Sequence, residues 1–319
     1  MNIINEEEEK NSNINTIVTK YNKLKLCCIT WNMHGLNPSP EEIKSLLEPH
    51  KNFDIYAIGS EESCRSIFKS LFNSDKSTWE TSLRNYFGNN YALVASETLC
   101  AIHLVIFIRN SLIKNISKVR AKNVKTGAKN MLGNKGAVGI SFNIFKLSIM
   151  IINCHLAASQ NRSLQRNMDF QRCFNGILDN FQSFDFVVFM GDFNYRLNNL
   201  SIDMEKIKTE YLMFLNYDQL TYENTIFLNN IKRLELHGLK EGQILFQPTF
   251  KYWNNTNNYQ FIDTHNIDQA PAWTDRLLYK KNDTDRNILD VHQDKYDSMQ
   301  DIIMSDHKPV YSYFTLNFA

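Results

Sequence analysis

Short apolar runs of strand length recur from residue 24 to residue 316, and several of them stop on a residue able to do chemistry. The runs cover 24–30, 54–58, 91–95, 102–108, 137–142, 147–153, 186–190, 276–279 and 309–316. Runs of this length, bounded by turn-forming residues, read as strands buried in sheets. Between them, apolar residues recur every three or four positions at 43–47, 164–178 and 204–214, the pattern of helices packed on one face. Strands outnumber helices, and the helices are spread along the chain. The expectation is two packed sheets with helices on the outside.

At 319 residues with 43% hydrophobic content, the chain suits one large enzyme domain with a sizeable core. A net charge of +1 supplies no global field toward nucleic acid or an anionic membrane, so anion recognition has to be local. Cys27, Cys28, Cys64, Cys100, Cys154 and Cys173 form no C-x-x-C pair, and several lie in apolar runs. That usage points to a reduced, cytoplasmic setting. Residues 1–20 are acidic and Asn-rich, too poor in apolar groups to repay the entropy of ordering, and are expected to be a tail. They do not read as a signal sequence, and no stretch has the length of a membrane span. The C-terminal Leu-Asn-Phe-Ala is not a prenylation box. Residues 254–258 read as an exposed Asn-rich loop.

The chemistry concentrates where strands end. In Gly191-Asp192-Phe193-Asn194, an apolar strand breaks into a turn carrying one carboxylate and one amide. A hard divalent cation such as Mg²⁺ takes oxygen ligands, and Asn32, Glu62 and Asp306 each stand at or beyond the end of a run. Two plainer readings compete: Glu61 and Glu62 opening a helix against its dipole, and Gly-Asp-x-Asn as ordinary turn chemistry. Of eight histidines, His155 and His307 stand out, one closing an apolar run and one following Asp306 before Pro309.

Taken together, these residues resemble an inositol polyphosphate 5-phosphatase, in the fold superfamily shared by deoxyribonuclease I, apurinic endonucleases and neutral sphingomyelinases. Gly191-Asp192-Phe193-Asn194-Tyr195-Arg196 resembles the family's G-D-x-N-[FY]-R, and Pro271-Ala272-Trp273-Thr274-Asp275-Arg276 its P-[SA]-W-[CT]-D-R. Supporting matches are Gly133-Asn134-Lys135-Gly136, His155-Leu156-Ala157-Ala158, Arg166-Asn167-x-Asp169, Asp218-Gln219-Leu220, Glu241-Gly242 and Pro248-Thr249-Phe250-Lys251. The resemblance implies a four-layered α/β sandwich, two mainly antiparallel sheets face to face with helices outside, over residues 21–319. It implies that Glu62 and Asn32, with Asp306 nearby, hold Mg²⁺. Asp192 would orient and deprotonate the attacking water, and Asn194 would hold the scissile phosphate. His307, steadied by Asp275, and His155 would donate to phosphate oxygens. Asn134, Lys135, Arg196, Lys251 and Arg276 would bind substrate.

The implied reaction is in-line attack of water on the 5-phosphate of a phosphoinositide lipid or a soluble inositol polyphosphate, by a monomer without a nucleic-acid partner. The enzyme would be cytoplasmic and reach membrane surfaces transiently. The alternatives are a nuclease of the same fold and a non-catalytic phosphoinositide-binding module. The first wants a basic groove, and the second would have lost a catalytic group. Larger family members carry lipid- or adaptor-binding domains, and none is expected here. The loop 254–258 and the segment 126–131, polar at Lys129 and Asn130, are candidate membrane-facing loops. One departure bears on substrate choice. Members that prefer a 4,5-bisphosphorylated ring are expected to carry a Tyr-Lys pair and a Lys-x-Arg that reach the 4-phosphate. This chain reads Phe250-Lys251, then Ile267 and Gln269, with His265 as a substitute if the loop is shifted.

Overall fold

The computed structural model describes residues 23–63, 76–127, 132–178, 183–198, 204–221, 238–260, 267–282 and 287–318. The expected tail, Cys64, Lys129, Asn130 and His265 lie outside them. Two six-stranded sheets form. Sheet A has the order β11-β12-β1-β2-β4-β3 and sheet B the order β5-β6-β7-β8-β10-β9. Their strands are β1 (Lys23–Asn32), β2 (Ile55–Glu61), β3 (Tyr91–Leu99), β4 (Ile102–Arg109), β5 (Ile116–Thr126), β6 (Leu132–Ile144), β7 (Leu147–His155), β8 (Phe186–Asp192), β9 (Lys240–Glu241), β10 (Asp275–Lys281), β11 (Ile288–Ser298) and β12 (Val310–Phe318). Each sheet contains one parallel pair, β1 with β2 and β7 with β8, and is otherwise antiparallel.

The core follows from the two-residue period of a strand. In β1, Leu24, Leu26 and Cys28 point to the interface between the sheets, where they meet Val138, Ile140, Ile151, Val188 and Met190 of sheet B. The intervening Cys27, Ile29 and Trp31 point outward and are covered by α1 (Pro40–Leu47) and α2 (Lys76–Phe87) through Ile43, Leu46, Leu47, Trp79 and Leu83. Sheet B buries its own outer face, including Ile152, Val187 and Phe189, under Phe170, Phe174 and Ile177 of α3 (Ser163–Leu178). Central strands are therefore wet on neither face, which is why their sequences run apolar without alternation. Four layers result, in agreement with the sandwich expected from the resemblance.

Local sequence sets where the helices begin. Ser39 caps α1 in a reciprocal box with Glu42 (Ser39 N–H to Glu42 Oε2, 2.7 Å; Glu42 N–H to Ser39 Oγ, 3.2 Å), and Pro40 takes the first turn, where no amide partner is required. The apolar pattern of 204–214 divides into α4 (Met204–Thr209) and a 3₁₀ segment, Tyr211–Tyr217. Glu61 is the last residue of β2 and Glu62 lies in the bend just after it. Among the described residues no helix is long and apolar enough to cross a membrane.

Candidate active site

Both parallel pairs are joined through a helix, β1 to β2 through α1 and β7 to β8 through α3, and their carboxyl ends gather at one edge of the sandwich. Asn32 is level with Glu61, and His155 with Asp192. Asp275, the first residue of antiparallel β10, pairs with Asp192. Three chemically active residues therefore stand side by side on β7, β8 and β10. His307 reaches the same edge just ahead of β12, in a bridge with Phe250.

Asp192 is the centre. Its carboxylate accepts from Asn32 Nδ2 (3.0 Å) across the sheet interface and from the Asn194 amide (3.0 Å), and it lies 3.2 Å from His155 Nε2. Burial works to raise its pKa, but His155, His307 and Lys135 outweigh that and hold it far below the usual carboxylate range. The turn after it is tight. Gly191 has φ 139°, and a Cβ there would sit 2.1 Å from the Cys154 carbonyl oxygen. Asn194 has φ 57°; it donates through Nδ2 to Leu156 O (3.2 Å) and accepts from Arg196 Nη2 (2.7 Å).

His307 and Asp275 form a second unit, with Nδ1 2.9 Å from Oδ2. Thr249 Oγ1 (2.6 Å) and Thr274 Oγ1 (2.9 Å) donate to the same carboxylate oxygen. Burial opposes charge on His307, but Asp275, through its charge and its hydrogen bond, with Asp192 and Asp306 behind it, pushes the imidazole up to about 10. Ligand atoms of Asp192, Asp275 and His307 fall within 4.8 Å of one another. The Asp275 carboxylate is already spent on His307 and two hydroxyls, so this trio is not the better cation site.

The better cation site lies beside it. Glu62 and Asp306 both approach one imidazole nitrogen, His34 Nδ1, at 3.9 and 3.2 Å. Asp306 Oδ1, the oxygen that His34 approaches, is buried and makes no hydrogen bond among the described residues, its contact with His34 being one of charge and distance alone. Among the described residues, Asn32 Oδ1 accepts only the His34 amide (3.0 Å). Burial works to raise Glu62, but His155, Lys135 and His307 hold its carboxyl below the usual range. Two carboxylates and an amide oxygen, one of the carboxylate oxygens buried without a hydrogen bond, fit a hard divalent cation.

The substrate-binding expectations divide. Lys135 contacts His155 Nε2, and burial lowers its pKa. Lys251 Nζ lies 4.0 Å from Asp306 Oδ2. Arg196 is 4% exposed and braces Asn194, with its guanidinium 4.2 Å over the Phe250 ring, which in turn packs on His307 at 4.5 Å. Asn134 lies over Gly127, its Oδ1 buried and unpartnered among the described residues. Arg276 departs from the expectation. It is fully buried, forked onto Glu241 (2.6 Å twice) and bonded to Asp218 (2.9 Å), so it ties elements together and meets no solvent. Its neighbour in sequence faces the site because successive strand residues point to opposite faces.

Several motif residues are framework of the same kind. Arg166 donates to the carbonyls of Ala157, Ser159 and Gln160 and to Gln219 Oε1, and Tyr195 donates to Asn167 Oδ1 (2.8 Å), so the loops flanking Asp192 are pinned from behind. Asn153 crosses between the sheets, donating to His103 O (3.1 Å) and accepting from Thr30 Oγ1 (3.3 Å). Sequence reasoning gave no role to His34, Thr249 or Glu61. Thr249 lies inside a quoted box. His34 follows Asn32 by two residues but sits in an irregular turn that no periodicity marks. Glu61 faces inward and accepts from Thr30 Oγ1 (3.0 Å); burial first, then Asp192 and Asp275, raise its pKa.

Residues 29–313 match Endonuclease/Exonuclease/phosphatase family 2. Phosphatidylinositol polyphosphate 5-phosphatase type IV of Mus musculus is 30% identical over 315 residues, 91% of this chain and 45% of that protein. Type IV inositol polyphosphate 5-phosphatase 11 of Arabidopsis thaliana is 30% identical over 297 residues, 90% of this chain and 82% of that one. Among solved structures, the inositol polyphosphate 5-phosphatase domain of SPsynaptojanin, in complex with inositol (1,4)-bisphosphate and calcium ion, matches with a TM-score of 0.75 and 26% identity, covering 97% of this chain and 89% of that one. The chain thus spans about half the length of the mouse relative and most of the Arabidopsis one.

Proposed function

The chain belongs to endonuclease/exonuclease/phosphatase family 2 and, within it, to the inositol polyphosphate 5-phosphatases, and from that premise we propose that it hydrolyses the 5-phosphate of phosphoinositides or soluble inositol polyphosphates. The observation that carries the reading is the strand-end cluster in which Asp192 lies between Asn32, His155 and the His307–Asp275 pair. Water attacks phosphorus in line with the departing inositol oxygen: the new P–O bond forms as the bond to inositol breaks, the water gives up one proton through Asp192, and the inositol oxygen takes one from solvent to leave as a hydroxyl. Asp192 accepts from that water and aims it. Its low basicity makes orientation the larger part of its contribution, since efficient proton acceptance wants a pKa nearer the working pH. His307, held as imidazolium by Asp275, is left its second ring nitrogen to donate to a non-bridging phosphate oxygen. Lys135 brings an amine to the other side, in contact with His155. Asn194, fixed by Arg196 and Leu156, limits where the phosphate can sit.

Glu62, Asp306 and Asn32 are the residues that would hold Mg²⁺, which when bound offsets charge on the phosphoryl and leaving oxygens. Two of the related proteins carry phosphatidylinositol phosphates or inositol phosphates in their names, and the solved relative holds an inositol bisphosphate with calcium, which supports this substrate class and a divalent ion. Contact with the 4-phosphate is weak in this reading. Lys251 remains near Asp306, but Phe250 is occupied between Arg196 and His307, and Ile267 and Gln269 bring no cation. The protein acts as a monomer that meets membranes peripherally.

Phosphate release from inositol 1,4,5-trisphosphate, with and without Mg²⁺, tests the activity, and loss of the 5-phosphate alone is the expected result. Strand cleavage of nucleic acid with no release from the inositol phosphate would replace this reading with a nuclease, and neither outcome would leave a binding module. For ring specificity, kcat/KM for short-chain PI(4,5)P2 and PI(3,5)P2 should differ by less than about 100-fold, or roughly 2.7 kcal/mol.

A further inference from the structure

The cation site gathers oxygen donors from separate segments, and one residue among them offers nitrogen instead. His34 stands two residues past Asn32, and its Nδ1 lies 3.2 Å from Asp306 Oδ1 and 3.9 Å from Glu62 Oε2. Backbone hydrogen bonds tie its turn to the Glu62 segment, Met33 N–H to Glu61 O (2.8 Å) and Gly35 N–H to Glu62 O (2.7 Å). From the Asp306 side, Ser305 Oγ donates to Asn32 O (2.7 Å). His34 and Glu62 both take left-handed backbone, with φ 48° and 52°, a conformation that side chains adopt rarely and that gathers at binding sites. The fold of the turn therefore decides where the imidazole sits.

A salt bridge and a shared ion ask different things of that ring nitrogen. In a salt bridge, Nδ1 would donate a proton along the line to Asp306. The 3.2 Å approach makes no hydrogen bond, and Asp306 Oδ1, on a side chain only 5% exposed, receives none from any described residue. Two donor atoms each about 2.1 Å from one ion, at right angles, stand about 3.0 Å apart. The separation of His34 from Asp306 is that of two ligands sharing an ion. Glu62, with its side chain 43% exposed, has room to rotate across the longer gap.

We propose that His34 Nδ1 is a ligand of the cation held by Glu62, Asp306 and Asn32, and that this nitrogen biases the site toward divalent first-row transition ions over Mg²⁺. The inference rests on the assignment of those three residues as oxygen ligands. Mg²⁺ prefers a shell of oxygens and gives up its water reluctantly, whereas imidazole nitrogen binds transition ions well. Two carboxylates, an amide oxygen and one imidazole admit Mg²⁺ and favour a metal that accepts nitrogen.

Mn²⁺ is the probe, because its unpaired electrons report a nitrogen bonded to it. On the metal-free full chain, bound Mn²⁺ should show the electron spin-echo modulation of a directly coordinated imidazole nitrogen. His34→Asn keeps a residue that tolerates the left-handed turn and offers oxygen in place of nitrogen. There the modulation should vanish and Mn²⁺ should bind at least about tenfold more weakly, while Mg²⁺ affinity, read by competition, should change less than about threefold. His34→Gln, a second replacement without a ring nitrogen, should behave alike. The proposal is overturned if bound Mn²⁺ shows no nitrogen, if the modulation persists in both variants and so belongs to another histidine, or if the two affinities fall together. Mn²⁺ bound without nitrogen would leave the oxygen site standing. A wild-type chain that binds no Mn²⁺ would end the assignment of Glu62, Asp306 and Asn32 along with that of His34.

Discussion

At the scale of single residues, the site rests on a few groups whose charge is set by their neighbours. His307 owes its proton to Asp275, against the pull of burial. Its folded value of about 10 lies above the ordinary 6.5, so the stability contributed by this ionisation is complete below about 6.5 and lost as pH rises through about 10. The alkaline limb of kcat/KM is expected near the same value, and in Asp275→Asn it should move to lower pH. Asp275→Asn and His307→Ala should not be additive, because removing either disables one unit. If the double variant's loss in kcat equals the product of the single losses, the two act separately. Asp192→Ala should cut turnover by about 10² to 10⁴-fold with the unfolding transition intact. A variant keeping more than about a tenth of the activity would remove Asp192 from its assigned part.

At the scale of elements, the strands that carry the site were read from sequence, whereas of the four strands at the sheet edges only β3 was, and β5, β9 and β11 were not. β5 exposes nearly its whole length, with Lys118, Arg120, Lys122 and Lys125 along it, so it lacks the apolar signature that marked its neighbours. Charged edge strands discourage pairing with other chains, and that is the reason they look like loops. α2 was missed for a related cause: Trp79, Leu83 and Phe87 are spaced four apart, but the residues between them are polar. Arg276 illustrates what an element demands of a motif residue. Arg276→Met should cost about 3 to 5 kcal/mol of stability by leaving buried Asp218 and half-buried Glu241 without their cation. Thermal unfolding would register that loss, whereas a rise in KM with unchanged stability would restore the arginine to substrate binding.

At the scale of the whole molecule, function depends on two sheets meeting at one edge. Asn32 belongs to sheet A and Asp192 to sheet B, and their 3.0 Å contact exists only because the sheets face each other in this register. Chelation of divalent ions should abolish turnover and leave the folded sandwich, whose layers are held by apolar packing, with its cooperative unfolding transition. Persisting turnover, or Glu62→Gln with unchanged Mg²⁺ dependence, would remove Glu62 from the cation site. By itself the sequence determined the strand-rich architecture, since buried central strands must be apolar on both faces, and it marked Asn32, Glu62, His155, Asp192, Asp275, Asp306 and His307 by their place at run ends and in motifs. It did not separate Asp275 from Arg276, adjacent residues in one box, because which face of a strand meets the site depends on what packs against each side. Nor did it mark His34 or Lys308. Their partners lie far along the chain, at Asp306 for the first and at Asn257 for the second, and only the folded arrangement brings those groups within bonding distance.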